Sequence, residues 1–105
     1  GWDGPVNPTY DSSVDIDNRL GTTFIITVSD TNNFTIEAPA ANYYGRITIT
    51  VKNSSGGAVG TITWNAIYKK GTFTNAANGF RRSISFYYDG TNWVEDMKGV
   101  NDVPN

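Results

Sequence analysis

Few residues in this chain could do covalent chemistry. It has no histidine and no cysteine. That removes the commonest general base, the thiol nucleophile, any disulfide and the usual zinc ligands together. The only glutamates are Glu37 and Glu95, and a carboxylate pair is the machinery of glycoside hydrolysis. Both sit at strand or hairpin positions that read as solvent-facing, with nothing nearby to raise a carboxyl pKa. Asp15 and Asp17 alternate with apolar residues in V-D-I-D-N and, with Asp11, could offer oxygen ligands to Ca²⁺. Their spacing is not that of a calcium loop, and an edge strand defended by charge has the same pattern. N-F-T at 33 and N-S-S at 53 fit the glycosylation acceptor pattern, which a chain rich in asparagine and threonine produces by chance. No phosphate loop or nucleophile elbow occurs. The reading assigns no catalytic residue, no metal and no cofactor.

Recognition is left to the rings. Exposed tyrosine and tryptophan stack on sugars or fill partner pockets. Trp2, Tyr43, Tyr44 and Tyr87 are the candidate ligand- or partner-binding residues, with Arg81 near Tyr87 in sequence; Tyr10 is a further free ring. For Tyr43-Tyr44, at least one ring is expected to cover the end of the fold, and Trp2 could dock the arm onto its own domain or a neighbouring subunit.

These residues must be held by strands. Phe24, Ile26 and Val28 alternate with Thr23, Ile25 and Thr27; Phe34 and Ile36 point one way; Ile47, Ile49 and Val51 alternate with Thr48, Thr50 and Lys52. Ile62 and Trp64 continue the pattern, and Phe80, Ile84, Phe86 and Tyr88 share a face. Period-two alternation is the mark of half-buried strands. Arg82 shares the parity of that last group, which predicts a bulge or strand start near it. No 11-residue window carries a helical stripe, and turn signals recur every 8 to 12 residues or so, as in sandwiches and barrels. The fold class read from this is all-β, a β-sandwich or barrel. Residues 1–12 form an extended N-terminal arm, 13–98 the sandwich and 99–105 a C-terminal tail.

The stretch F-Y-Y-D-G-T-N-W-V-E, residues 86–95, decides between platform and core. D-G between apolar runs is a hairpin signal, with a type I′ turn asking for positive φ at both central residues. A two-residue loop sets Trp93 opposite Phe86 and a four-residue loop sets it opposite Tyr88; both put the indole in the core. A three-residue loop with a bulge would expose it. With Trp93 inside, Tyr87 is the ring left outside.

At 105 residues with a net charge of −2, the chain is one domain without a basic patch, since Lys69-Lys70 and Arg81-Arg82 are isolated pairs. Nucleic acid is not an expected partner. No apolar run approaches a membrane span, and no signal peptide is present. The single methionine is Met97, which reads as processing or as excision from a longer polypeptide.

One family likeness covers roughly residues 20–97. G-R-I-T-I-T-V-K-N from Gly45 to Asn53, G-T-I-T-W from Gly60 to Trp64, Tyr68-Lys69, and Y-D-G-T-N-W from Tyr88 to Trp93 together resemble the small β-domain of bacteriophage virion proteins such as tail fibres and tail spikes. F-I-I-T-V and F-T-I-E-A-P fit its opening strands. The resemblance implies an antiparallel, jelly-roll-like β-sandwich that serves as a non-enzymatic virion module, of tail-fibre or receptor-binding type, often homotrimeric. Its partners would be itself, other virion proteins and host surface glycans. It transfers no catalytic or receptor residue. A capsid-decorating protein is the alternative within the virion, and a free-standing carbohydrate-binding module the alternative outside it.

Overall fold

A computed structural model describes residues 4–105. Nine strands and no helix are present among them: β1 Ser13–Ile16, β2 Thr23–Val28, β3 Phe34–Pro39, β4 Arg46–Asn53, β5 Ile62–Trp64, β6 Tyr68–Lys69, β7 Phe80–Tyr88, β8 Trp93–Lys98 and β9 Val103–Pro104. The all-β reading holds.

Strand direction departs from the expected antiparallel, jelly-roll-like sandwich. From β1 to β5 the chain alternates between two sheets, so strands that are neighbours within a sheet run parallel. β1, β3 and β5 form a wholly parallel three-stranded sheet, and β2 and β4 pair in parallel in the other. The chain therefore winds as a β-solenoid-like coil. Reversal comes only at β7, which pairs antiparallel with both β4 and β8; β6 then adds in parallel to β8, and β9 pairs with the start of β7. Alternation fixes which face of a strand is buried but not which strand lies beside it, so the period-two pattern was compatible with either topology.

Pairing also extends into both ends of the chain. Val6 bridges in parallel to Phe24, donating its N–H to the Thr23 carbonyl and accepting from Ile25 N–H at 2.8 and 2.9 Å. Pro5 and Pro8 flank Val6 and have no N–H, so the ladder cannot extend. At the other terminus, β9 lies against Phe80 and Arg81.

One core fills the space between the sheets. Val14, Ile16, Phe34 and Ile36 come from the three-stranded sheet; Phe24, Ile26, Val28, Ile47, Ile49, Val51, Ile84, Phe86 and Trp93 come from the other. Every apolar residue placed inward from alternation is buried or packed on this cluster, Phe80 excepted, which is half-buried at the end of β7. Asn53 ends β4 fully enclosed. Its amide donates to the Gly57 and Ala76 carbonyls at 3.0 and 2.9 Å, and its Oδ1 accepts from the Ser55 N–H and hydroxyl. The N-S-S match at 53 is thus a structural knot with no free amide to glycosylate.

Arg82 keeps its inward parity near a strand start, two residues after β7 begins at Phe80, and no bulge lies beside it in the pairing with β4. It faces the open end of the two layers, where its Nε reaches Asp102 Oδ1 at 2.8 Å. The irregularity in β7 falls on its β8 side, between Ser85 and Phe86.

Candidate functional site

The 89–92 loop has four residues, pairing Tyr88 with Trp93 and enclosing the indole completely. Its turn is not type I′, because only Gly90 has positive φ, at 101°. Asp89 shapes it instead, its carboxylate accepting from Thr91 N–H at 2.9 Å and Asn92 N–H at 2.7 Å; these bonds hold the Asp89 carboxyl below its ordinary pKa.

Around Trp93 the strand ends build an aromatic corner. Tyr43 packs edge-on against the indole with centroids 5.8 Å apart, and Tyr88 tilts against it at 5.2 Å. Asn42 Oδ1 accepts from the indole N–H at 3.2 Å. Tyr44 turns the other way, 80 % exposed, with its ring 5.9 Å from that of Tyr88. Tyr87 lies on the outer face opposite Arg46, 38 % exposed, with the guanidinium 6.0 Å from its ring centroid, the outer limit of a cation–π contact. Arg46 is held by an ion pair with Asp96.

The candidate residues therefore do not form one site. Tyr44 and Tyr87 border the same corner. Tyr43 is spent largely on covering Trp93. Arg81 pairs with Lys52 at the far end of β7, six residues from Tyr87, a separation of about 20 Å along a strand. Trp2 lies outside the described residues. Arg46 was missed; Arg46↔Tyr87 is a register pair that neither alternation nor composition reveals.

A second aromatic cluster adjoins this corner through Tyr68, the register partner of Trp93; there Trp64 meets Tyr68, Phe73 and Phe86 with centroids 5.5 to 5.9 Å apart. Lys70 caps it, 5.1 Å from the Trp64 ring, and burial there pulls its ammonium pKa down. Tyr68 is buried, its hydroxyl donates to the Glu37 carbonyl at 2.8 Å, and burial drives its pKa up. These rings are structural.

The acidic positions separate. Glu37 lies on the outer face of the three-stranded sheet and accepts from the Ser13 hydroxyl at 2.6 Å; Glu95 accepts from Gly71 N–H at 2.9 Å on the other sheet. Asp11, Asp15 and Asp17 border an open hollow of about 340 Å³ with Val6, Asn7 and Leu20. Asp17 is engaged by Arg19 at 2.8 Å, which lowers its pKa. No group of three or more acidic side chains among the described residues is close enough to hold a metal ion.

The outer face of the larger sheet is laid out as a ladder. Thr48 pairs with Ser85 and Thr50 with Ser83, their hydroxyls 2.9 and 2.7 Å apart. Tyr87, Val94 and Met97 border this hydroxyl strip, Met97 71 % exposed. Comparison with known proteins gives no match to a family model, to a curated protein or to a solved structure.

Proposed function

We propose that the chain is a non-enzymatic structural module of a bacteriophage virion, of tail-fibre or receptor-binding type, that self-assembles on the particle exterior as a homotrimer. The observation that carries this reading is the outer face of the larger sheet. It is a strip of paired threonine and serine hydroxyls, Thr50 buried among them and the others part-exposed, bordered by Tyr87, Val94 and Met97. Such a surface offers hydrogen bonds and apolar area to another folded surface, and no hollow for a small substrate. The sequence resemblance from Gly45 to Trp93 points the same way, and the coiled path of β1 to β5 suits an elongated particle component. Other virion proteins are the further partners, and host surface glycans are the receptor class that the outward rings Tyr44 and Tyr87 with Arg46 would suit.

Light scattering on a sizing column tests the assembly: the reading expects a mass three times that of the chain, and a strict monomer would contradict it. A glycan array tests the receptor role. Binding lost in Tyr44→Ala and Tyr87→Ala supports it, whereas binding unchanged in both removes these rings from the receptor site.

A further inference from the structure

The two sheets carry opposite charge on their outer faces. In the three-stranded sheet the only charged strand residues are Asp15 and Glu37, and both point away from the core. Alternation in the larger sheet places Arg46, Lys52, Lys69 and Arg81 outward, with Asp96 beside Arg46 as the one acid. Arg82 and Lys98 belong to the inner parity and are engaged by Asp102 and, at 3.9 Å, by Glu95.

Each face also holds a like-charge pair on adjacent strands. Lys52 and Arg81 are direct register partners, and neither makes a salt bridge among the described residues. Arg81 Nε is shielded from solvent and has no acceptor. On the other face, Val14 pairs with Ile36 and Ile16 with Pro39, so Asp15 lies opposite a bulge formed by Glu37 and Ala38, and Glu37 accepts from the Ser13 hydroxyl. Like charges facing across two strands destabilise the sheet that bears them, and a buried donor without an acceptor adds to the cost.

A second copy relieves both. We propose that the outer face of the larger sheet, centred on Lys52 and Arg81, docks onto the outer face of the three-stranded sheet of another copy, centred on Asp15 and Glu37. Each pair spans two neighbouring strands, which lie about 4.8 Å apart, so two cations face two carboxylates. The Arg81 guanidinium gains a carboxylate partner. The hydroxyls of Ser13, Thr35 and Thr63 face the Thr48–Ser85 and Thr50–Ser83 strip. Contact between unlike faces is heterologous, giving a ring if the rotation closes and an open stack if it does not; three copies in a ring would be the trimer proposed above. The inference rests on that reading only in requiring that the chain self-associate.

The test is sedimentation velocity of the whole chain at about 25 and about 500 mM salt, since screening weakens such contacts, with two double reversals. K52E/R81E and D15K/E37K change outward residues only, and circular dichroism verifies that each is folded. The expectation is association of the native chain that weakens with salt, at least about tenfold weaker self-association in either variant, and recovery of a complex on mixing the two, because one then has two acidic faces and the other two basic ones. The neutral variant K52Q/R81Q should also associate more weakly. Association of the native chain that neither reversal alters would overturn the proposed faces while leaving self-assembly standing. A native chain that stays monomeric at low salt and high concentration would overturn both. Two dispersed variants that fail to combine would show that the faces do not meet each other.

Discussion

Replacing Trp93 with alanine should remove a large share of the stability of this domain. The indole has no exposed surface, and a buried tryptophan takes roughly 150–250 Å² out of water. At about 25 cal/mol/Å² that is roughly 4–6 kcal/mol of transfer free energy. Alanine keeps a small part, and Tyr43 and Tyr88, which touch the ring from two sides, can only partly close the space. The indole N–H bond to Asn42 adds little, because Asn42 is exposed and its amide oxygen returns to water. The expected loss is about 3–5 kcal/mol, against a total of about 5–15 kcal/mol for a domain. Urea unfolding followed by far-ultraviolet circular dichroism should show the midpoint about 2–3 M lower with little change in slope. Trp93→Phe, which keeps a ring against Tyr88, should lose about half as much. A loss below about 1 kcal/mol for the alanine variant would refute the enclosure of the ring.

Further perturbations probe other parts of the fold. Asn53→Ala removes the donors held by Gly57 and Ala76 and the acceptor used by Ser55; a denaturant melt should show about 2–4 kcal/mol lost, and a neutral result would deny the amide its organising role. Gly60→Ala drives a methyl group into the Asn32 backbone, so the same measurement should give a loss of about 1–3 kcal/mol. Tyr10 is held up to about 12 from 10.0, mainly by burial and then by its 2.6 Å hydrogen bond to Asp30. A raised pKa favours the protonated form in the fold, so this contribution is whole below pH 10.0 and fades as pH climbs towards 12. Urea stability at rising pH should fall over that window, and Tyr10→Phe should flatten the slope.

What was legible in the sequence was set by period two. Phe24, Ile47, Ile49 and Phe86 are buried where alternation placed them, because a strand between core and solvent can satisfy only one register. The position of Trp93 followed from the parity of a short loop. Topology did not follow, because the parallel pairing of β1 with β3 joins segments about twenty residues apart with no local turn to announce it. The corner was half-legible for the same reason: Tyr44 and Tyr87 stand out as rings, while the meeting of Arg46 with Tyr87 requires knowing that β4 lies beside β7. The parity of Arg82 pointed to a bulge or a strand start, and the strand start is what the fold shows, since β7 begins at Phe80. An inward-pointing charge need not mark a bulge where the layers are open at one end and Asp102 supplies a partner.

The edges of the two sheets bear on where a second copy could attach. Exposed edges are the usual route to uncontrolled pairing, and here each is blunted by a different device. Beside β2, the ladder ends at a single bridge because Pro5 and Pro8 enclose Val6. β1 presents Asp15 next to its free edge, with Asp17 just beyond. β6 has only two residues, one of them Lys69 and the next beyond them Lys70, and β5 has only three. Strand addition is therefore poorly supported at every end of the coil. The faces carry no such defence: the larger sheet shows exposed Met97 and paired hydroxyls around two unneutralised cations. On the proposed reading, a second copy attaches by stacking layers and not by extending sheets.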